Sequence, residues 1–267
     1  MSFVTGRPAP YGEAVSHPEE PLVGGNVSRG VVRVCDTVRK PSTKATDSVL
    51  AFLTHLDNAS FDGAPRAMGR DELDRMTLEY VPGPLAHDLP LLDIPGLRRV
   101  GALIRRLHDL SEAFVPPRRA CWEVVIPPDE ELLICHHDLA PWNLVLGRDR
   151  WVFIDWDNAG PGSRLWDLAY AAHGFVGMAP GNDASSDADR LAALVDGYGL
   201  AEDDRERLVQ LLPRRIRSMF DLLVSGHITG TQPWSRLYAE GHADHWGPTA
   251  EYAKASSDRF RDALLRC

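Results

Sequence analysis

Between residues 134 and 161 the chain reads ICHHDLAPWNLVL and then WVFIDWDNAGP, and this stretch restricts the architecture more than any other. Leu132 to Cys135 and Trp151 to Ile154 are short apolar runs that predict strands on either side of a polar loop. On that loop sits Asp138, with Asn143 five residues on; Asp155 follows twelve residues later, at the end of VFID. A β-hairpin brings Asn143 and Asp155 to face one another across the strand ends, close to the loop that carries Asp138.

Two carboxylates and an amide in such a frame suit phosphoryl transfer. Magnesium takes hard oxygen ligands, and one carboxylate and one amide oxygen supply them beside a nucleotide's own phosphates. The attacking hydroxyl needs a carboxylate to accept its proton and align it. Asp138 is read as that base, and Asn143 and Asp155 as the metal-facing pair. Each has a plain structural alternative when taken singly. Asp138 could be a turn former, Asn143 a capping amide, and Asp155 a strand-end carboxylate. The frame they make together favours the catalytic reading.

The rest of the chain predicts an α+β molecule. Residues 1–20 are rich in Pro, Gly and Glu and predict an extended arm. In LVGGNVSRGVVRVCDTVRKP (22–41) a Gly-Gly-Asn turn precedes the β-branched run Val31, Val32 and Val34, then Thr37 and Val38, which predicts a hairpin or three short strands. Helical spacing follows over 47–56, and RMTLEYVPG (75–83) reads as a strand stopped by Pro82-Gly83. Beyond residue 83 the character changes to helix: 94–110, 164–175, 187–199, 203–227 and 249–266, with Pro213 expected to kink or split the fourth of these. The expected division is an arm over 1–20, a small β-rich N-lobe over 21–83 and a larger helical C-lobe over 84–267.

Charge and cysteine usage exclude several classes. The net charge of −9, carried mostly by residues after 83, comes with no basic stripe, so no nucleic-acid partner is expected. An acidic second half favours a cationic acceptor through its long-range field, although solubility alone accounts for such charge. Cys35, Cys121, Cys135 and Cys267 are scattered and predict reduced thiols. With no basic-then-apolar start and no run of about 20 apolar residues, the expectation is a cytoplasmic, soluble protein without a membrane partner. The sequence is silent on oligomeric state.

The pattern His136-x-Asp138-x-x-x-x-Asn143 matches the catalytic loop of the eukaryotic-like kinase superfamily. The fuller HHDLAPWN and IDWDNAGPGSRLWDLA resemble the aminoglycoside phosphotransferases and their choline-kinase-like relatives over roughly residues 22 to 200. That resemblance implies a bilobal, protein-kinase-like fold and transfer of the γ-phosphate of ATP or GTP to a small-molecule hydroxyl, with Mg2+. It implies Asp138 as base, Asn143 and Asp155 as metal ligands, and Asp167 as a structural carboxylate. Gly24, Gly25, Asn26, Val27 and Ser28 stand where the family has its phosphate-approaching loop. Arg39 stands at the basic position of the third strand, with Lys40 as the fallback. Asp47 is the only carboxylate near the family's partner Glu on the next helix. The Glu79 carbonyl and the Val81 amide take the position of the base-binding linker.

His136 is read as a packing and hydrogen-bonding residue of the loop, and His137 is left unassigned. Asp157 is open between a magnesium or substrate role and surface charge. Trp142 and Trp156 are expected to pack around the loop. Asp221, Glu240, Asp244 and Glu251 are weak candidates for lining a cationic pocket, and a metal site at His227, His242 and His245 is rejected on spacing. Only eight residues separate Asp155 from Arg164, too few for the long activation segment of protein kinases. The competing class is a kinase-like, nucleotide-binding regulatory module, motivated by Arg39 and the missing helix Glu.

Overall fold

The computed structural model describes residues 18–22 and 30–266. Gly24, Gly25, Asn26, Val27 and Ser28 lie outside the described residues, as do most of the expected arm and Cys267.

The first part is an antiparallel sheet of five strands, β1 (Glu20–Pro21), β2 (Val32–Val34), β3 (Thr37–Lys40), β4 (Ala67–Arg70) and β5 (Met76–Glu79), in the order β1-β2-β3-β5-β4. Alternation along β3 places Val38 and Lys40 on one face and Thr37 and Arg39 on the other. β4 is absent from the sequence expectation because AMGR has neither alternation nor β-branching. Helix α1 (Thr46–Asn58) buries Val49, Phe52, Leu53 and Leu56 along one stripe.

Helix α2 (Ile94–Ser111) starts where Asp93 accepts the Gly96 amide at 2.9 Å and Pro95 occupies the first turn. A long irregular segment leads to β6 (Leu133–Cys135). The polar loop then returns through β7 (Leu144–Leu146) and β8 (Trp151–Phe153), which form a hairpin, while β6 pairs with β9 (Gly160–Gly162). The expected strands thus belong to two separate two-stranded sheets. Five helices follow in close succession: α3 (Arg164–Val176), α4 (Ala184–Tyr198), α5 (Glu202–Thr229), α6 (Trp234–Ala239) and α7 (Ala243–Ala255), and α8 (Ser257–Leu264) completes the fold. Gly177, Gly199 and Gly230 end α3, α4 and α5 in the left-handed region, where glycine carries no Cβ penalty.

Two expectations need correction. Pro213 lies inside α5 without splitting it, because Leu208, Val209, Leu211, Leu212 and Ile216 on both sides of it are buried and hold the helix together. The single helix expected over 249–266 is two, α7 and α8, divided at Ser256, and α6 was not expected.

The sheet and helical halves meet through aromatic packing: the Phe52 ring of α1 lies 5.0 Å from Phe114 and 5.9 Å from Trp156, which sits beside Asp155. Helices α2 and α4 approach so closely that a Cβ on Gly101 would lie 2.1 Å from the Leu194 carbonyl oxygen, and one on Gly197 2.1 Å from that of Arg98. Gly101→Ala is therefore expected to destabilise the fold by about 1–3 kcal/mol, the usual cost of overpacking, despite the better helix propensity of alanine. Urea unfolding checks this, and a gain in stability would contradict the close approach.

Candidate active site

The loop after β6 is built on one buried carboxylate. Ser163 caps α3 by accepting the Trp166 amide at 3.1 Å, which sets Asp167 in the first turn, fully buried. Asp167 accepts the backbone amides of His136 (3.1 Å) and His137 (2.8 Å), and His108 Nε2 lies 3.2 Å from it. Burial alone would raise its pKa; the hydrogen bond and charge of His108 outweigh that and hold it down at about 2. His108, Cys135 and Asp167 alone among the described residues gather as a metal cluster would. Their polar atoms are already engaged, with His108 Nδ1 at 2.9 Å from the Tyr198 hydroxyl and the Cys135 thiol donating to the Ser163 carbonyl. The node is a hydrogen-bonded support for the loop.

Both histidines serve the loop itself. His136 Nε2 lies 3.1 Å from the Ile154 carbonyl and its Nδ1 accepts the Asp138 amide at 3.2 Å, so the ring carries its proton on Nε2. It also packs 4.5 Å from Trp156. His137 is buried, with φ of +66° and its Nε2 donating to the Pro161 (3.0 Å) and Gly160 (3.2 Å) carbonyls. Burial pushes its pKa down, which keeps the ring neutral. A Cβ on Gly162 would sit 2.7 Å from this ring, so β9 needs glycine there.

The loop then presents Asp138. Asn143 Nδ2 donates to its carboxylate at 2.8 Å and to its carbonyl at 3.0 Å. With the amide nitrogen committed to Asp138, the carbonyl oxygen of the planar Asn143 amide points the other way. Burial raises the Asp138 pKa; the nearby Asp155 adds to the rise, and His136, Tyr170 and Asn143 oppose it. The hairpin places Asn143 beside the end of β8, where the Ile154 amide donates to the Asn143 carbonyl at 2.8 Å. Asp155 follows in the left-handed region, φ +63°, unusual for a residue with a Cβ and a mark of an over-determined turn.

Asp155 and Asp157 converge on one cation: Lys40 Nζ lies 2.6 Å from Asp155 Oδ1 and 2.7 Å from Asp157 Oδ2. The Lys40 side chain is 8% exposed. Burial alone would lower its pKa, and the two carboxylates outweigh that and raise it. Burial likewise works to raise the pKa of Asp155, and the Lys40 charge and hydrogen bond bring it below the usual range.

Arg39, expected at the site, points away from it. Strand alternation turns it to the opposite face of β3, where it pairs with Asp71 at 3.4 Å. Lys40 is the basic residue of β3 that reaches Asp155. Asp47 is 85% exposed and pairs with Arg70, so α1 supplies no carboxylate to Lys40. Glu79 ends β5 with its amide on the Arg66 carbonyl (2.9 Å) and its carboxylate on Arg150 (2.6 Å), and Val81 follows it. Asp221 and Glu251 both pair with Arg217, and Glu240 pairs with Arg236, so three of the four acidic candidates for a cationic pocket are held by arginines. His227 stacks on Tyr238 while His245 meets His173, and no metal cluster forms from them among the described residues.

The sequence reading did not single out Lys40 over Arg39, and it missed His108, Tyr170 and Arg215 altogether. The alternation of TVRK was a usable signal, since Lys40 shares its face with the apolar Val38. Long-range partners such as His108 leave no local signal.

The model of the APH family, described as a phosphotransferase enzyme family, matches residues 39–210. The chain is 30% identical over 210 residues to the trifolitoxin immunity protein of Rhizobium leguminosarum bv. trifolii, across 72% of this chain and 78% of that protein. A choline/ethanolamine kinase family protein from Mesorhizobium loti has a similar fold, with a TM-score of 0.58 and 18% identity over 93% of this chain and 92% of that one. So does amicoumacin kinase hAmiN in complex with AMP-PNP, Ca2+ and Ami, with a TM-score of 0.58 and 12% identity over 87% of each chain. The expected α+β, kinase-like fold is met. The matched residues carry Lys40, Asp138, Asn143, Asp155, Asp157 and Asp167 and span more than half of the sequence, and the chain belongs to the APH phosphotransferase enzyme family.

Proposed function

We propose that this phosphotransferase moves the γ-phosphate of ATP or GTP to a hydroxyl of a small molecule, with Asp138 as general base and Mg2+ held by Asn143 and Asp155. The observation that carries the reading is the convergence at the ends of β3, the loop and β8. Asn143 is bonded to Asp138 at 2.8 Å, and two carboxylates meet on Lys40 within 2.7 Å. A set of hard oxygens already arranged around an ammonium fits a divalent cation, so Asp157 joins Asn143 and Asp155 as a candidate ligand. The cation, when bound, neutralises charge on the nucleotide phosphates.

The protein's own groups would act as follows. Asp138 accepts the proton of the acceptor hydroxyl as its oxygen bonds to the γ-phosphorus. The bond from that phosphorus to the β,γ-bridging oxygen breaks, and the nucleoside diphosphate leaves with the bond's electrons. Lys40, in place of Arg39, neutralises phosphate charge. Residues 24–28 would cover the phosphates, and the Glu79 carbonyl and Val81 amide would receive the base. Residues 21–83 would then form the nucleotide-binding N-lobe and 84–267 a C-lobe with the catalytic loop, the metal site and the helical acceptor region.

A small-molecule acceptor is favoured because the segment from Asp155 to Arg164 folds at once into a 3-10 turn (Trp156–Asn158) and β9, with no room for a long activation segment. An apolar hollow of about 210 Å³ adjoins the loop, lined by Ala86, Leu89, Leu92, Pro141, Trp142 and Phe175 among others. Similarity to an immunity protein makes protective modification of a toxic compound the first role to test. No described helix is long and apolar enough to cross a membrane, and a cytoplasmic site of action is part of the proposal. The absence of an α1 carboxylate at Lys40 favours the alternative, a nucleotide-binding regulatory module.

Release of ADP or GDP from the magnesium nucleotides, against a panel of antibiotics, amino alcohols, hydroxy amino acids and sugars, separates the two. Acceptor-dependent release by wild type but not by Asp138→Asn is expected. Tight nucleotide binding with no release on any acceptor would favour the module.

Lys40→Met is expected to weaken nucleotide binding about 10- to 100-fold, the range for losing a charge-assisted bond of roughly 1.5–3 kcal/mol. It also leaves Asp155 and Asp157 without their ammonium. Mg2+ alone should therefore raise the melting temperature of the variant more than that of wild type. Equal Mg2+ responses would count against a cation site at these carboxylates.

A further inference from the structure

Arg215 on α5 is 2% exposed, and among the described residues no carboxylate forms an ion pair with it. Its Nη2 donates to the His137 carbonyl at 3.1 Å and its Nη1 to Ser218 Oγ at 3.2 Å, while its Nε has no partner among the described residues. The guanidinium stands 4.2 Å above the Tyr170 ring and 5.3 Å from that of Trp166. A buried guanidinium with no carboxylate bonded to it is costly, and such groups persist where they serve a purpose other than stability.

The purpose is visible in what Arg215 touches. His137 holds a left-handed φ of +66°, a conformation that survives only when its surroundings enforce it. The peptide joining His137 to Asp138 is gripped at both ends: its carbonyl by Arg215 at 3.1 Å, its N–H by His136 Nδ1 at 3.2 Å. Tyr170, beneath the guanidinium, is buried beside Trp142 at 6.2 Å and Trp246 at 6.0 Å, and Trp142 belongs to the loop itself. Building on the reading of Asp138 as base, we infer that Arg215 is a positioning residue for Asp138, fixing the peptide before it.

The test uses the whole protein, with ADP release measured from Mg-ATP and water as acceptor, so that kcat and the KM for Mg-ATP are read separately. Asp138→Asn serves as the blank.

Arg215→Met is expected to lower kcat about tenfold or more, with the KM for Mg-ATP within about twofold of wild type. Arg215→Lys is expected to recover kcat only in part, since an ammonium replaces the charge and not the planar fork. If Arg215→Met does not fold, the Lys variant decides. A wild-type kcat in Arg215→Lys, or a KM for Mg-ATP that rises as much as kcat falls, overturns the inference. ADP release by Asp138→Asn at the wild-type rate would instead overturn the base assignment on which it rests.

Discussion

Asp138→Asn is expected to lower phosphoryl transfer by about 10²- to 10⁴-fold, the usual contribution of a positioned general base. The change is nearly isosteric, and the amide oxygen of the new side chain can still accept from Asn143, which donates to Asp138 at 2.8 Å in the wild type. The fold should persist. It should even gain a little at neutral pH, because burial raises the Asp138 pKa in the folded chain. A carboxyl whose pKa is raised by folding binds its proton more tightly in the native state, so folding loses stability as pH rises through that range. An asparagine has no proton to lose. Inactivity together with equal or higher urea resistance is the signature expected of a base held at a cost to stability. Inactivity together with lowered stability would point to a structural role. The same raised pKa places the acid limb of wild-type kcat above the pH range of an ordinary aspartate, since activity falls as Asp138 takes up its proton.

The second large effect is structural. Asp167 is fully buried and holds the His136 and His137 amides as well as His108. Asp167→Asn offers one acceptor oxygen where two are used, and turns an NH2 group toward donors. Breaking a buried charged network by removing one partner costs about 3–5 kcal/mol, a large part of the roughly 5–15 kcal/mol that holds a domain together. The sign of the pH dependence follows from a pKa held at about 2 in the folded chain. Stability from Asp167 is complete above the ordinary aspartate range and is lost as pH falls through that range toward 2. Wild type should therefore lose part of its advantage over the variant between about pH 4 and pH 2. Urea midpoints at pH 7 and pH 3 measure both claims, and a difference below about 0.5 kcal/mol at pH 7, ordinary for a surface site, would contradict the role given to Asp167.

The residues legible from sequence are those fixed by short spacing. Asp138, Asn143 and Asp155 are tied by a loop and a hairpin of about a dozen residues, so their gathering needs only local geometry, and the structure brings them together. Helices with a clear apolar stripe, such as α2, were legible for the same reason. Lys40 was half legible. Its neighbour Arg39 is an equally good cation by composition, and only the face of the strand, shared with Val38, separates them. Asp157 stayed open because a carboxylate two residues from a turn says nothing of where it points until β3 is laid beside it.

His108, Tyr170 and Arg215 were not legible at all. Each meets the loop from a helix tens of residues distant, and each reads as a core or surface residue in its own segment. The extra helix α6 and the break at Ser256 escaped because tertiary packing, not periodicity, sets them. At Pro213 the expected split failed in the opposite sense: the helix runs on through a strong local breaker with buried residues on both sides of it.

The measurement that bears most directly on the central claim is a phosphorus NMR spectrum of Mg-ATP turned over by the whole protein with the best acceptor of the panel. The expected result is loss of the γ resonance with matching growth of a phosphomonoester on the acceptor and of ADP, and none of it with Asp138→Asn. Growth of inorganic phosphate alone, or an equal ester signal from the Asn variant, would contradict transfer to a hydroxyl by the Asp138 site.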